Sequence, residues 1–275
     1  MRILLVVALS ISSGLAHAET PAEIATKLID AQLDAFKTAD DDKFGRQFAP
    51  DALFGVSGNG IVQAERVRVT VGLTGDGRGE ITGSKKLSLT AGGNATVVWF
   101  SGEVEILFQA RVSPGEPTKY KTAVRFTELA VVDGGGKWHV VAAEWGNPTS
   151  PSDGDGATIP QGTKPGTLAK LVIDPKQLAF QLPAKDDTVV VFGTDARERA
   201  VGVPAAKKLL ESWKTLKLEL AGGVREVTTA NYGFVQASLK WTKPDGKPLW
   251  MRVLVIATRE RSQPWVIRAV HYGLP

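Results

Sequence analysis

A gapless internal repeat constrains this chain more than any other feature. Ala123–Gly146 (AVRFTELAVVDGGGKWHVVAAEWG) overlays Trp250–Gly273 (WMRVLVIATRERSQPWVIRAVHYG) at a constant shift of 127 residues. Arg125 falls on Arg252, Trp138 on Trp265 and Gly146 on Gly273. Each copy reads as a strand, a polar turn and a second strand opened by Trp, so the chain carries one hairpin twice. A period above about 100 residues is too long for a solenoid unit and fits a duplicated domain.

Residues 1–18 read as a secretory signal peptide: Arg2 gives a positive start, Ile3 to Leu9 an apolar run, and Ala16-His17-Ala18 a small-x-small cleavage site. The run is far shorter than the roughly 20 residues of a membrane span, and no later stretch reaches that length. The sequence therefore predicts a periplasmic or secreted chain without membrane insertion. It has no cysteine, so packed cores rather than disulfides must hold it together. Thiol nucleophiles and cysteine metal sites are excluded with it. The formal charge of +4 is spread along the chain without a Lys/Arg tract, which argues against nucleic acid as a partner.

In chain order, Pro21–Phe36 has apolar residues at helical spacing, and Lys43 to Ala49 reads as a second short helix stopped by Pro50. Asp40, Asp41 and Asp42 suit a helix N-terminus and lack the alternation of a calcium loop. Ala52–Val56 is a short strand, Gln63–Val71 a connector or short helix, and Lys86–Leu89 another short strand. Val97–Phe108 alternates, with Phe100, Gly102, Val104, Ile106 and Phe108 facing the core and Trp99, Ser101, Glu103 and Glu105 the other side. Asn147–Pro165 is rich in Gly, Pro, Ser, Thr and Asp and reads as an exposed linker. The second half repeats the plan: a broken helical region over Leu168 to Phe180, the strand Thr188–Phe192, and a helix over Pro204–Lys214. The strand Leu216–Leu220 follows, then a Gly222-Gly223 turn copying Gly92-Gly93, and finally Tyr232–Trp241 and the closing hairpin.

This order, ending in W-x-x-x-x-x-x-x-G, resembles the SnoaL-like, NTF2-like superfamily, twice in tandem. The resemblance rests on DAQLDAFKTADDDKFGRQFAPDALFGVSG and KYKTAVRFTELAVVDGGGKWHVVAAEWG in the first half, and on DDTVVVFGTDARERAVG and WMRVLVIATRERSQPWVIRAVHYG in the second. It implies an α+β fold of two cone-shaped domains, 22–146 and 167–275, joined by a flexible linker over 147–166. Each domain would pack helices on a strongly curved antiparallel sheet that can enclose a pocket. It also implies that the two domains pair within the chain through the open faces of their sheets.

The residues carry few chemical signals. Enzymes of this superfamily need a pocket carboxylate and donors for a developing oxyanion, and no such set maps onto both halves. Alternation puts Glu144 on one face with Trp138, Val140 and Ala142. There it is either an acid/base or ligand contact in a pocket or an ion-pair partner, for example of Arg125. His271 takes the Glu144 position in the second half, as ligand contact or hydrogen-bonded wall. Arg125 and Arg252 would clamp an anion if they face a pocket, or pair with Asp or Glu across the sheet. Trp99 suits a domain contact, a pocket or a dimer face. The histidine spacing offers no zinc or iron set, and no metal or cofactor is implied. The sequence favours a non-catalytic exported module binding a small apolar or amphipathic ligand or a protein partner. The alternative is a cofactor-independent isomerase, dehydratase or cyclase-like enzyme acting on a hydrophobic small molecule in one of the two pockets.

Overall fold

The computed structural model describes residues 18–56, 60–64, 79–110, 118–148, 159 and 162–274. The leader, except for Ala18, most of the connector after Gln63, and the greater part of the linker lie outside the described residues. In the first half the elements are α1 (Pro21–Thr38), α2 (Asp41–Gly45), β1 (Phe48–Val56), β2 (Gly60–Gln63), β3 (Gly79–Gly93), β4 (Val97–Ala110), β5 (Thr118–Val132) and β6 (Trp138–Gly146). The second half contributes α3 (Thr167–Leu171), α4 (Pro175–Phe180), β7 (Val190–Phe192), β8 (Arg199–Val201) and α5 (Val203–Ser212). It ends with β9 (Leu218–Thr228), β10 (Tyr232–Thr242), β11 (Pro248–Thr258) and β12 (Val266–Gly273).

Local chemistry sets the helix boundaries. Thr20 and Glu23 form a capping box at the start of α1, with Pro21 in its first turn, and Ala39 closes the helix in the left-handed region. Asp40 caps α2 by accepting from the Lys43 backbone N–H, so the acidic run is a cap. The Glu226 carboxylate accepts from the backbone N–H groups of Gly166, Leu168 and Ala169 and seats α3 on β9.

The halves form two similar sheet-and-helix units, but not the strongly curved cones expected. Each sheet is open, with strand order β2-β1-β6-β5-β4-β3 in the first unit and β8-β7-β12-β11-β10-β9 in the second. The two edges of a sheet do not meet. Nor are the sheets wholly antiparallel, because β1 runs parallel to β6 and β7 parallel to β12. The physical reason is that both faces of each sheet are already covered. Helices pack on one face, and the other meets the opposite sheet, where Val97, Trp99, Leu129 and Ala142 pack against Phe234, Leu254, Ile256 and Ala269. A sheet so sandwiched need not curl to hide apolar surface.

Other departures from the sequence reading are local. β3 runs over 15 residues and β9 over 11, where only short strands are legible, because glycines and register shifts interrupt their alternation. Gly222 and Gly223, expected to form a turn, lie within β9 at positive φ, where its register against β10 shifts. Ile159, in the stretch read as an exposed linker, is buried against Leu53 and Ile61, and its N–H donates to the Gly222 carbonyl.

The first core is largely aromatic. Phe36, Phe44, Phe48, Phe54, Phe126 and Trp145 make successive ring contacts of 4.9–6.1 Å. At equivalent places the second core has Val253 for Phe126 and Tyr272 for Trp145. Phe126→Ala should therefore destabilise the protein by about 3–5 kcal/mol, the usual cost of emptying a buried ring site. The shift of the urea midpoint at constant slope measures it.

Candidate functional site

Four of the five residues singled out from the sequence, Arg125, Glu144, Arg252 and His271, are all at most 2 % exposed and converge where the sheets meet. The repeat makes their arrangement nearly two-fold. Val56, the last residue of β1, and Gly193, the residue after β7, take equivalent places, since β1 pairs with β6 as β7 pairs with β12. Arg252 of the second unit donates from Nη1 to the Val56 carbonyl of the first. Arg125 of the first unit donates from Nη1 to the carbonyls of Gly193 (3.3 Å), Asp195 (2.9 Å) and Glu198 (3.2 Å) of the second. Each arginine thus crosses the interface and caps a strand end of the opposite unit.

The counter-charges break the symmetry. Arg125 pairs across its own sheet with Glu103, Nε to Oε1 at 3.1 Å. The equivalent residue in the second unit is Ser238, so Arg252 takes its carboxylate from the other unit. Its Nε and Nη2 lie 3.0 and 2.8 Å from Glu144 Oε1. Glu144 has room because a Cβ at either Gly55 or Gly273 would land on its carboxylate. In the second unit Phe192 stands at the Gly55 position and His271 at the Glu144 position, their rings 5.3 Å apart, with the Arg125 guanidinium 5.0 Å from the Phe192 ring centre. Burial pushes the Glu144 carboxyl up to about 7, and Arg252 pulls the other way. Burial, and then the charges of Arg125 and Arg252, hold the His271 imidazole well below its usual range, so the ring is neutral and hydrogen-bonds the Glu144 backbone.

Alternation misassigned the faces of the last strand. β6 shifts register between its partners Leu129 and Ala130, leaving Val141 unpaired, and β12 does the same at Arg268, 127 residues later. This repeated bulge sends Val140 to the helix-side core while Ala142 joins the interface. Glu144 therefore faces the second unit and does not share a face with Val140. Trp99 is 7 % exposed in the interface, with the Arg268 guanidinium 5.0 Å from its ring centre.

Sequence reasoning missed Glu128. It is fully buried in the first core, accepting from Gln32 Nε2 at 2.9 Å and Trp145 Nε1 at 2.7 Å. Burial pushes its carboxyl up to about 7 against both donors. Strand parity with Phe126 and Ala130, both core residues, was the signal that could have found it. Among the described residues, no three His, Cys, Asp or Glu side chains come together as a metal site, and no helix is long and apolar enough to cross a membrane.

A cavity of about 150 Å³ opens in the second unit between helices and sheet, lined chiefly by Trp213, Leu216, Leu218, Trp241, Met251 and Tyr272, with Thr194 and Glu198 also on its wall. Tyr272 stands where Trp145 fills the first core, and its hydroxyl donates to the Val172 carbonyl at 3.2 Å. None of Trp99, Arg125, Glu144, Arg252 or His271 lines this cavity.

Two outcomes follow from these buried charges. Arg252→Met leaves the Glu144 carboxylate and the Val56 carbonyl without their donor and should cost about 3–5 kcal/mol, with partial recovery in the double variant with Glu144→Met; denaturant titration of the three proteins checks this. Burial raises the Glu128 carboxyl from its ordinary 4.5 to about 7, so its contribution is complete below about pH 4.5 and is lost as pH rises through 7. Stability should fall between pH 5 and 8, by at most about 3 kcal/mol from this group. Glu128→Gln should make that slope shallower when urea midpoints are plotted against pH, with Glu144, raised over the same range, supplying the remainder.

No family model matches the chain, and no curated protein matches it significantly. Solved structures similar to part of it include an NTF2-like protein from Cytophaga hutchinsonii (14% identity, TM-score 0.38, covering 47% of this chain and 99% of that one). A ketosteroid isomerase-like protein from Erwinia carotovora atroseptica is similar at 12% identity and a TM-score of 0.40, covering 48% of this chain and 99% of its own. A nuclear transport factor 2-like superfamily protein from Salmonella enterica is similar at 17% identity and a TM-score of 0.37, with 50% and 96% covered. Each match spans about half of this chain, and at such identities and scores none bears on a ligand or a reaction.

Proposed function

We propose that this chain is a non-catalytic binding protein that holds a small apolar or amphipathic molecule in the second unit, while the first unit serves as its structural partner. The observation that carries this reading is the asymmetry of the two cores. Where Phe126 and Trp145 fill the described part of the first core, the second has Val253 and Tyr272 and leaves a cavity of about 150 Å³ walled by two indoles, leucines and Met251. A cavity of that size accepts roughly one aromatic ring. Apolar walls with a few polar groups are the usual composition of a small-molecule site. Glu144 and His271 lie in the interface and not in this cavity, and of the ionisable groups that line it Tyr272 is hydrogen-bonded to the Val172 carbonyl and Glu198 to Trp213 Nε1 and the Asp195 N–H. Export belongs to the same proposal and rests on the leader-like residues 1–18.

Titration of the full chain with toluene or indole, followed by ligand-observed NMR, tests the reading. Saturable binding is expected, and Leu216→Trp, which fills the half-buried mouth of the cavity, should weaken it at least about tenfold without lowering the unfolding temperature by more than a few degrees. Equal binding by Leu216→Trp would place the ligand elsewhere and sink the proposal.

A further inference from the structure

We propose that the second-unit cavity selects an organic cation, a small amine whose apolar body enters between the indoles while its ammonium meets Glu198. This rests on the reading of that cavity as the ligand site. Glu198 is the one charged residue among those lining it. Its carboxylate is held in place: Oε1 accepts from Trp213 Nε1 at 3.0 Å and Oε2 from the Asp195 backbone N–H at 3.0 Å. Each oxygen keeps a lone pair for a further donor. The arrangement depends on Gly193, where a Cβ would strike both the Glu198 carboxylate and the Trp213 ring. That glycine, just after β7, lets a carboxylate and an indole come together.

The neighbouring arginines find their side-chain partners elsewhere, although Arg197 also feels the Glu198 charge. Arg125 is committed to Glu103 and to backbone carbonyls, Arg197 pairs with Asp195, and Arg199 with Glu103. Among the described residues, no basic side chain lies within ion-pair distance of the Glu198 carboxylate. Trp213 and Trp241 also line the cavity, indole rings attract cations, and Trp213 is fixed edge-on to Tyr272 with ring centres 5.4 Å apart. A carboxylate at an apolar cavity repels anions and gains nothing from a hydrocarbon. An ammonium gives it a charge-assisted hydrogen bond, and the cavity holds roughly one ring of apolar body.

Calorimetric titration of the full chain with benzylammonium, benzyl alcohol and benzoate at neutral pH tests this. Benzylammonium should bind at least about tenfold tighter than benzyl alcohol, the scale of one charge-assisted hydrogen bond, and benzoate should bind more weakly than either. Glu198→Gln should bring the amine and the alcohol to within about twofold of each other. If the native protein binds the alcohol as tightly as the amine, or the variant keeps the preference, the cation inference is overturned while the cavity remains a ligand site. If none of the three probes binds, and toluene and indole do not either, both proposals fall. The comparison within the native protein decides the matter even if Glu198→Gln does not fold.

Discussion

The two arginines that cross between the sheets are the constraint on which the rest of the architecture depends. A guanidinium cannot shed its charge, so Arg125 and Arg252, buried in the interface, need acceptors, and each finds them on the opposite unit. Gln236 adds a third crossing, donating to the carbonyls of Leu53 and Ala143. Separating the units would leave strand-end carbonyls of each without these donors. The sheets must therefore lie face to face in one register, and that contact covers the surface which curled, cone-shaped sheets would otherwise have to hide.

Within this near two-fold frame the halves have taken different physical roles. The first unit supplies the carboxylate, with Gly55 and Gly273 leaving space for Glu144, and has an aromatic core around the buried Glu128. The second supplies rings in place of that charge, Phe192 and the neutral His271, and keeps a core of smaller residues with a cavity. Interface and cavity meet at one loop. The carbonyls of Gly193, Asp195 and Glu198 accept from Arg125, while the Glu198 side chain lines the cavity. Arg125 of the first unit thus holds the loop that shapes the cavity of the second.

Alternation and spacing made much of this legible. The repeat, the hairpin strands and the first helix are visible because each follows a single uninterrupted period. The face of Trp99 opposite Phe100, Val104 and Ile106 was readable for the same reason. Reading failed where the period breaks. The bulges at Val141 and Arg268 reverse the faces of the last strands, and the glycines of β3 and β9 disguise strands as loops and turns. The site suffered more, because a cavity is a difference between facing volumes. Trp213, Leu218 and Met251 come from separate elements, and no one segment announces that they line a common space.

By itself, the sequence determined the duplication, the strand-turn-strand units and the pairing of Arg125 with Arg252 as equivalent positions, because these follow from local periodicity and a constant shift. Only the tertiary structure decided that the sheets stay open, that the equivalent arginines reach across to each other's unit, and that Trp213, Leu218 and Met251 meet around a cavity in the second core. Those outcomes depend on which surfaces meet and how much volume each side chain brings to the meeting, and neither quantity is written in any single stretch of chain.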